Sequence, residues 1–185
     1  MLSNEEIKEE EQYALSDYDL KTIVNNDAKI VLYKDLKKMN YLDEMFDKLG
    51  RCILLYGVAE VNNGHWVSVM KRGNTIEFFD PYGFFPDTQN YNLMVPEETV
   101  LQQNYPYLLK LIYDGGYDLI YNNRPLQKFN DTTATCGRHS ALRQLFYEIP
   151  LKEYYKVLEA LQKSSKIKDL DTLITVFTEK IRSKI

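Results

Sequence analysis

Apolar and polar positions divide the chain into stretches of different period. Ser16 and Asp19 form a capping-box pair ahead of Leu20, Ile23 and Val24, which share one face of a short helix closed by Asn25-Asn26-Asp27. Lys29–Tyr33 reads as a short strand. Leu42, Met45, Phe46 and Leu49 then repeat at helical spacing up to Gly50. Cys52–Ala59 is a continuous apolar run of strand length, the pattern of a strand buried on both faces. His65–Met70 and Thr75–Phe79 follow as two strands around Lys71-Arg72-Gly73-Asn74. Asp80-Pro81-Tyr82-Gly83 is a β-turn signal, because Pro presets the second position and Gly suits the fourth.

Pro96-Glu97-Glu98 marks a helix start. Pro106 opens a second helical pattern through Leu108, Leu109 and Ile112, ended by Gly115-Gly116. Tyr117–Tyr121 is the next strand, and 124–135 reads as polar loop. Helices fill the remainder. Cys136–Tyr147 has apolar residues at Ala141, Leu142 and Leu145. Leu151, Tyr154, Tyr155, Leu158 and Leu161 follow the i, i+3, i+4, i+7 rule, as do Leu170, Leu173, Ile174, Phe177 and Ile181. Helices first, strands in the middle and helices last predict an α+β protein, a small mixed β-sheet flanked by helices.

With 185 residues the chain is expected to form one domain, 1–185, large enough to bury a core. The Glu-rich residues 1–12 read as a charged tail, disordered or at most a fraying helix. A net charge of −4 gives no basic field for nucleic acid. Two cysteines make no disulfide framework, no apolar run reaches the ~18–20 residues of a membrane span, and the acidic start is unlike a secretory signal. The expectation is an intracellular protein with reduced thiols, not secreted and with no membrane partner. Phosphate-cradling motifs are absent, so no nucleotide cofactor is expected.

Two histidines leave few catalytic constellations. His65 opens one strand of the hairpin and Asp80 closes the other. A turn at Arg72-Gly73 sets them directly opposite, with Cβ atoms roughly 4.5–5.5 Å apart. Val67, Val69, Ile76 and Phe78 share their face, and Trp66 pairs with Phe79 on the reverse. An imidazole beside a carboxylate suits a base and the acid that orients it. A structural reading stands beside it, since Asp80 is also the residue that starts the turn. Cys136 supplies a nucleophile. It sits at a helix start, where the dipole and free N–H groups favour a thiolate, and its own amide suits an oxyanion hole. Gly137 is expected to let a substrate backbone approach. Cys52 lies in the apolar run and reads as core. Cys52, His65, Cys136 and His139 also make a two-Cys, two-His set, but their spacing fits no compact zinc module, and no metal is expected.

The order His, Asp, Gln, Cys is informative. Gly64-His65-Trp66, then Phe78-Phe79-Asp80-Pro81-Tyr82-Gly83, then Gln127, then Thr135-Cys136-Gly137 resembles the adenain-like cysteine proteases. That family holds the adenovirus maturation protease and relatives in large DNA viruses, virophages and related mobile elements, in one clan with the SUMO-deconjugating proteases. The resemblance implies a papain-like/adenain-like cysteine protease fold, with the nucleophile at the N-terminus of a central helix. It implies His65 as general base, Asp80 as orienting acid, Cys136 as nucleophile, Gln127 as oxyanion donor, and Trp66 packed beside the histidine. Gln127 stands nine positions before Cys136, further than is usual in the family, while Asn130 stands six before it and offers the same chemistry. The implied activity is a thiol endopeptidase without metal or organic cofactor. Its implied substrates are polypeptides, capsid or other virion precursors cut during maturation, in the infected cell or the virus particle. Three rivals stay open: a deconjugating protease for a ubiquitin-like modifier, an acyltransferase on the same scaffold, and a non-enzymatic interaction module.

Overall fold

The computed structural model describes residues 2–57, 64–88, 105–130 and 132–184. Ala59, expected in a strand, and the helix start at Pro96-Glu97-Glu98 lie outside the described residues. Helix α1 (Asn4–Gln12) and helix α2 (Asp17–Ile23) lead into strand β1 (Lys29–Leu32). Two short 3-10 segments, Tyr33–Lys38 and Leu42–Met45, carry the chain to β2 (Arg51–Tyr56). Strands β3 (His65–Arg72) and β4 (Thr75–Phe79) form the hairpin. Helix α3 (Tyr107–Asp114) and strand β5 (Asp118–Tyr121) follow, then α4 (Cys136–Leu145), α5 (Leu151–Ser165) and α6 (Leu170–Arg182).

The sheet is open, in the order β1-β2-β3-β4-β5. The outer pairs β1/β2 and β4/β5 are parallel, and the inner pairs β2/β3 and β3/β4 are antiparallel. The α+β class expected from the order of elements is the class observed. Both faces of the central strands are covered, which explains their uninterrupted apolar runs. On one face Cys52, Leu54, Val67, Val69, Ile76 and Phe78 pack with the 3-10 segments and with Leu108 and Ile112 of α3. On the other face Ile53 and Trp66 meet α2 through Leu20 and Ile23, and Ala141 of α4. Phe79 and Leu142 meet Tyr154 and Leu158 of α5 and Ile174 of α6.

Helix α4 lies in the middle of this packing and differs from its expected amphipathic pattern. Leu145 is 41% exposed, while Arg138, His139, Arg143 and Gln144 are buried. Tertiary partners explain the inversion. Arg143 forks onto Glu77 of β4 at 2.7 and 3.0 Å, and Arg72 joins the same carboxylate at 2.8 Å. Gln144 Nε2 donates to Cys52 O at 2.6 Å and to Ser68 Oγ at 2.8 Å. Ser140 Oγ donates to Trp66 O at 3.0 Å. These bonds stitch α4 to three adjoining positions of the sheet and fix where its first residue, Cys136, comes to lie.

The N-terminal residues read as a tail form α1. Ser3 caps it with a full capping box to Glu6. Glu10 pairs with the buried Arg138 and with Arg182 at 2.9 Å, and Glu11 O accepts from Ala134 N at 2.7 Å. The charge run is therefore an anchor for the approach to Cys136. The helix expected over Leu42–Leu49 is shorter, a single 3-10 segment over Leu42–Met45.

Candidate active site

The hairpin register places the imidazole. Ser68 pairs with Phe79 and Arg72 with Thr75, so the turn falls at Gly73-Asn74, one residue later than expected. The ladder ends at Ser68 and Phe79, where Asp80 enters its turn, so this register does not set His65 directly opposite Asp80. It also removes the expected pairing of Trp66 with Phe79. The shift is by two positions on the opposite strand, so facing is conserved, because side chains alternate with period two. His65 still reaches Asp80 diagonally. Its Nε2–H donates to Asp80 Oδ1 at 2.8 Å. Tyr82, in the turn after β4, stacks its ring on the imidazole with centroids 4.7 Å apart and planes 15° apart.

Asp80 is held by its own turn and by a neighbour. Gly83 N donates to Asp80 O at 2.8 Å, closing the β-turn, and Tyr82 N donates to Asp80 Oδ1 at 2.8 Å. Gly83 has φ +77, and a Cβ there would come within 3.0 Å of the Arg124–Pro125 backbone. Asn122, fully buried beyond β5, grips the main chain of Asp80: it accepts from Asp80 N at 2.7 Å and donates to Asp80 O at 2.6 Å. Sequence reasoning missed Tyr82 and Asn122. Tyr82 was visible as the residue two beyond Asp80, whereas Asn122 had no local signal.

Cys136 is the first residue of α4. Its side chain is a neighbour of the imidazole and acts to raise the His65 value. With Nε2 facing Asp80, Nδ1 is the ring nitrogen left for the sulfur. Burial disfavours the His65 cation, but the Asp80 charge and hydrogen bond, together with Cys136, outweigh it and raise the imidazole from 6.5 to about 10. Burial, then the charges of Cys136 and Asp80, push the Tyr82 phenol up, so it stays neutral. Exposure falls from Cys136 at 9% to His65 at 3% and Asp80 at 0%, so the sulfur faces the opening and the carboxylate is sealed.

The opening is a cleft of about 560 Å³. Its floor is apolar, with Leu15, Ile30, Leu55 and Trp66, and His65, Tyr82, Gln127 and Cys136 gather at one end. Gln127 is 4% exposed. Its main-chain N–H donates to Pro81 O at 3.0 Å, and its Nε2 donates to Tyr82 Oη at 3.2 Å and Thr133 O at 3.3 Å. Asn130 stands elsewhere, on an exposed loop. Its Oδ1 accepts from Thr132 N at 3.0 Å and Thr132 Oγ1 at 3.2 Å, and it does not line the cleft. Trp66 lies beside the site with Nε1 donating to Leu15 O at 3.1 Å. Gly137 has a different use from the one expected. A Cβ there would point not at open cleft but at Trp66 Cδ1, 3.1 Å away, and Leu15 Cβ, 3.3 Å away. The glycine lets the helix start sit on the indole.

Cys52 is fully buried in β2, and burial pushes its thiol up. His139 is buried in α4, with Nε2 at 3.0 Å from Asp171 Oδ1. Cys52, paired with Val69 in the sheet, and His139, held by Asp171, thus take no part in the site of His65 and Cys136. Among the described residues no group of three or more His, Cys, Asp or Glu could hold a metal ion. No helix among them is long and apolar enough to cross a membrane.

Fold and site together define an α+β protein with an open mixed sheet and a cleft lined by Cys136 and by His65, which is bonded to Asp80. The chain is 35% identical over 174 residues to the uncharacterized protein V9 of Sputnik virophage, covering 94% of this chain and 98% of that protein. It belongs to the family of that virophage protein. No protein-family model matches the chain. Among solved structures, one of the SUMO protease Ulp1, with its catalytic cysteine oxidized to a sulfenic acid, is similar over 94% of this chain and 79% of that chain, at 16% identity and a TM-score of 0.43. The central domain of the uncharacterized Lpg1148 protein from Legionella pneumophila is similar over 92% of this chain and 97% of that chain, at 16% identity and a TM-score of 0.41.

Proposed function

We propose that the protein is a thiol endopeptidase, with Cys136 as nucleophile, His65 as general base and acid, and Asp80 as the acid that orients the ring. The observation that carries this reading is the imidazole bonded to the buried Asp80 carboxylate at 2.8 Å, with Cys136, at a helix start, lining the same cleft as His65. His65 Nδ1 takes the thiol proton, and Asp80 keeps the opposite N–H in place. The thiolate sulfur attacks the peptide carbonyl carbon, and the negative charge passes to the carbonyl oxygen.

That oxygen is held by the Cys136 N–H and by Gln127 Nε2, which exchanges one of its long bonds, to Tyr82 Oη or Thr133 O, for the bond to the oxyanion. Thr135, the residue before the helix, makes no side-chain cap, so the first-turn amides stay available. Each such donor is worth ~2.7–4 kcal/mol to the transition state. His65 then gives its proton to the leaving amine. Water attacks the thioester carbonyl with His65 as base, releasing the acid and restoring the thiol. Gln127 is favoured over Asn130 as donor because it lines the cleft beside Cys136. The cycle runs on side chains and backbone amides alone, without a cofactor.

The substrates are polypeptides, and the virophage relationship fits precursors of virion proteins, cut in the infected cell or in the particle. The experiment incubates the purified protein with the structural precursors of its own virus and reads cleavage by mass spectrometry. Cleavage at defined bonds that is lost in Cys136→Ala is expected. Inert precursors, together with covalent capture of Cys136 by an electrophilic ubiquitin-like modifier, would replace this substrate class with conjugates of such a modifier. Inertness toward both would favour an interaction module.

A further inference from the structure

Asp171 lies on α6, in the second turn-forming position after its cap Asp169, and is 2% exposed. It has no contact with the His65–Asp80 pair. Its carboxylate instead collects three donors from the two segments that flank the oxyanion site. Thr135 Oγ1 donates to Oδ1 at 2.5 Å, His139 Nε2 stands 3.0 Å from the same oxygen, and Lys128 N donates to Oδ2 at 3.0 Å. Thr135 immediately precedes Cys136, and Lys128 immediately follows Gln127. The Lys128 side chain pairs with Asp169, so the start of α6 grips that residue twice.

The bond to Thr135 has a chemical consequence. A threonine at the residue before a helix ordinarily turns its hydroxyl onto the N–H of the second or third helical residue. Here the hydroxyl is drawn away to Asp171, and the start of α4 has no side-chain cap. The hydroxyl serves instead as a tether that holds the residue before Cys136 to α6. Meanwhile Lys128 N fixes the backbone next to Gln127, whose other anchor is Pro81 O. One carboxylate ties the two donor-bearing segments at a common distance.

We propose that Asp171 is a positioning residue that assembles the oxyanion hole, tying the residue before the Cys136 amide and the residue after Gln127 to one carboxylate so that the two donors stay in register. The proposal rests on the thiol-hydrolase reading above. Its role is separable from that of Asp80, because Asp80 serves the proton relay and Asp171 the developing oxyanion. In Asp171→Asn one arm of the side chain becomes an NH2 group, which cannot accept from both Thr135 and Lys128.

The test compares two reactions of Cys136 in the intact chain, in a Cys52→Ala background. Alkylation by iodoacetamide displaces iodide and forms no oxyanion. Acylation by para-nitrophenyl acetate passes through a tetrahedral oxyanion and releases para-nitrophenolate. Asp171→Asn is expected to slow acylation about 10- to 100-fold, the scale of a donor misplaced by about 1 Å, while alkylation stays within about twofold. Thr135→Val, close in shape to threonine and without the hydroxyl, is expected to slow acylation in the same selective way and carries the test if Asp171→Asn does not fold. A parallel fall of both rates, or no change in either, overturns the proposal for Asp171. If wild-type alkylation is indifferent to His65→Ala, the thiol-hydrolase reading itself is lost and Asp171 with it.

Discussion

Tyr82 sits in the turn that follows β4, and its ring covers the His65 imidazole at 4.7 Å while its hydroxyl accepts the Gln127 amide at 3.2 Å. One side chain thus touches the base and the oxyanion donor at once. Tyr82→Phe keeps the stacked ring and loses only the acceptor. It should preserve alkylation of Cys136 and change acylation by para-nitrophenyl acetate less than fivefold. Tyr82→Ala removes both contacts and should slow both reactions about tenfold or more. Equal rates in the two variants would show that the ring does not order His65.

The imidazole is raised from 6.5 to about 10, against its burial, by Asp80 first and then Cys136. A raised folded-state value stabilises the fold fully below about pH 6.5, the ordinary histidine value, and the contribution is lost as pH rises through about 10. Asp80→Asn removes the main favourable charge, so His65 should titrate well below wild type. The stability gap between the two proteins should narrow from pH 6 to pH 10. With only two histidines in the chain, NMR of the ring protons reads the titration directly. An unmoved His65 titration in Asp80→Asn would contradict the pairing.

Gly137→Ala sets two effects against each other. Alanine favours a helix interior over glycine by about 1 kcal/mol, and less at a first turn. The new methyl would meet Trp66 Cδ1 at 3.1 Å and Leu15 Cβ at 3.3 Å, both in packed surroundings. Overpacking of this kind costs about 1–3 kcal/mol, so the net change should be destabilising. Urea unfolding reads it, and the fluorescence of the single tryptophan should shift as Trp66 moves. A more stable protein with unchanged fluorescence would show that the contact yields freely.

Glu77 neutralises Arg143 and Arg72 inside the protein. Glu77→Gln leaves the fully buried Arg143 without a counter-charge and should cost about 3–5 kcal/mol in urea unfolding. A loss under 1 kcal/mol would mean that α4 is seated by its apolar contacts alone.

The order of elements was legible because the sheet is buried on both sides, so its strands read as apolar runs, and because Ser16, Pro106 and Gly115 mark helix ends by their own chemistry. His65, Asp80 and Cys136 were legible for a related reason. Their types are scarce here, and strand alternation survives a two-residue change of register. The exact pairing was misread by one residue at the turn: Gly73, with φ +58, serves as the first central residue and not the second, which favours Gly73-Asn74 over Arg72-Gly73. The interior of α4 was not legible. Arg138, Arg143 and Gln144 are polar in any local pattern, and only partners distant in sequence, such as Glu179 and Glu77, make their burial tolerable. Asp171 escaped for the same reason, since its three donors come from two other segments.

The central claim is that His65 activates Cys136. The most direct test is the rate of Cys136 alkylation by iodoacetamide as a function of pH, in a Cys52→Ala background, with and without His65→Ala. The account predicts fast alkylation already at pH 6, and at least a tenfold loss at that pH in His65→Ala, whose rate should climb only toward the ordinary thiol range near ~8.5. A wild-type profile that climbs only in that range, unchanged by His65→Ala, would contradict it.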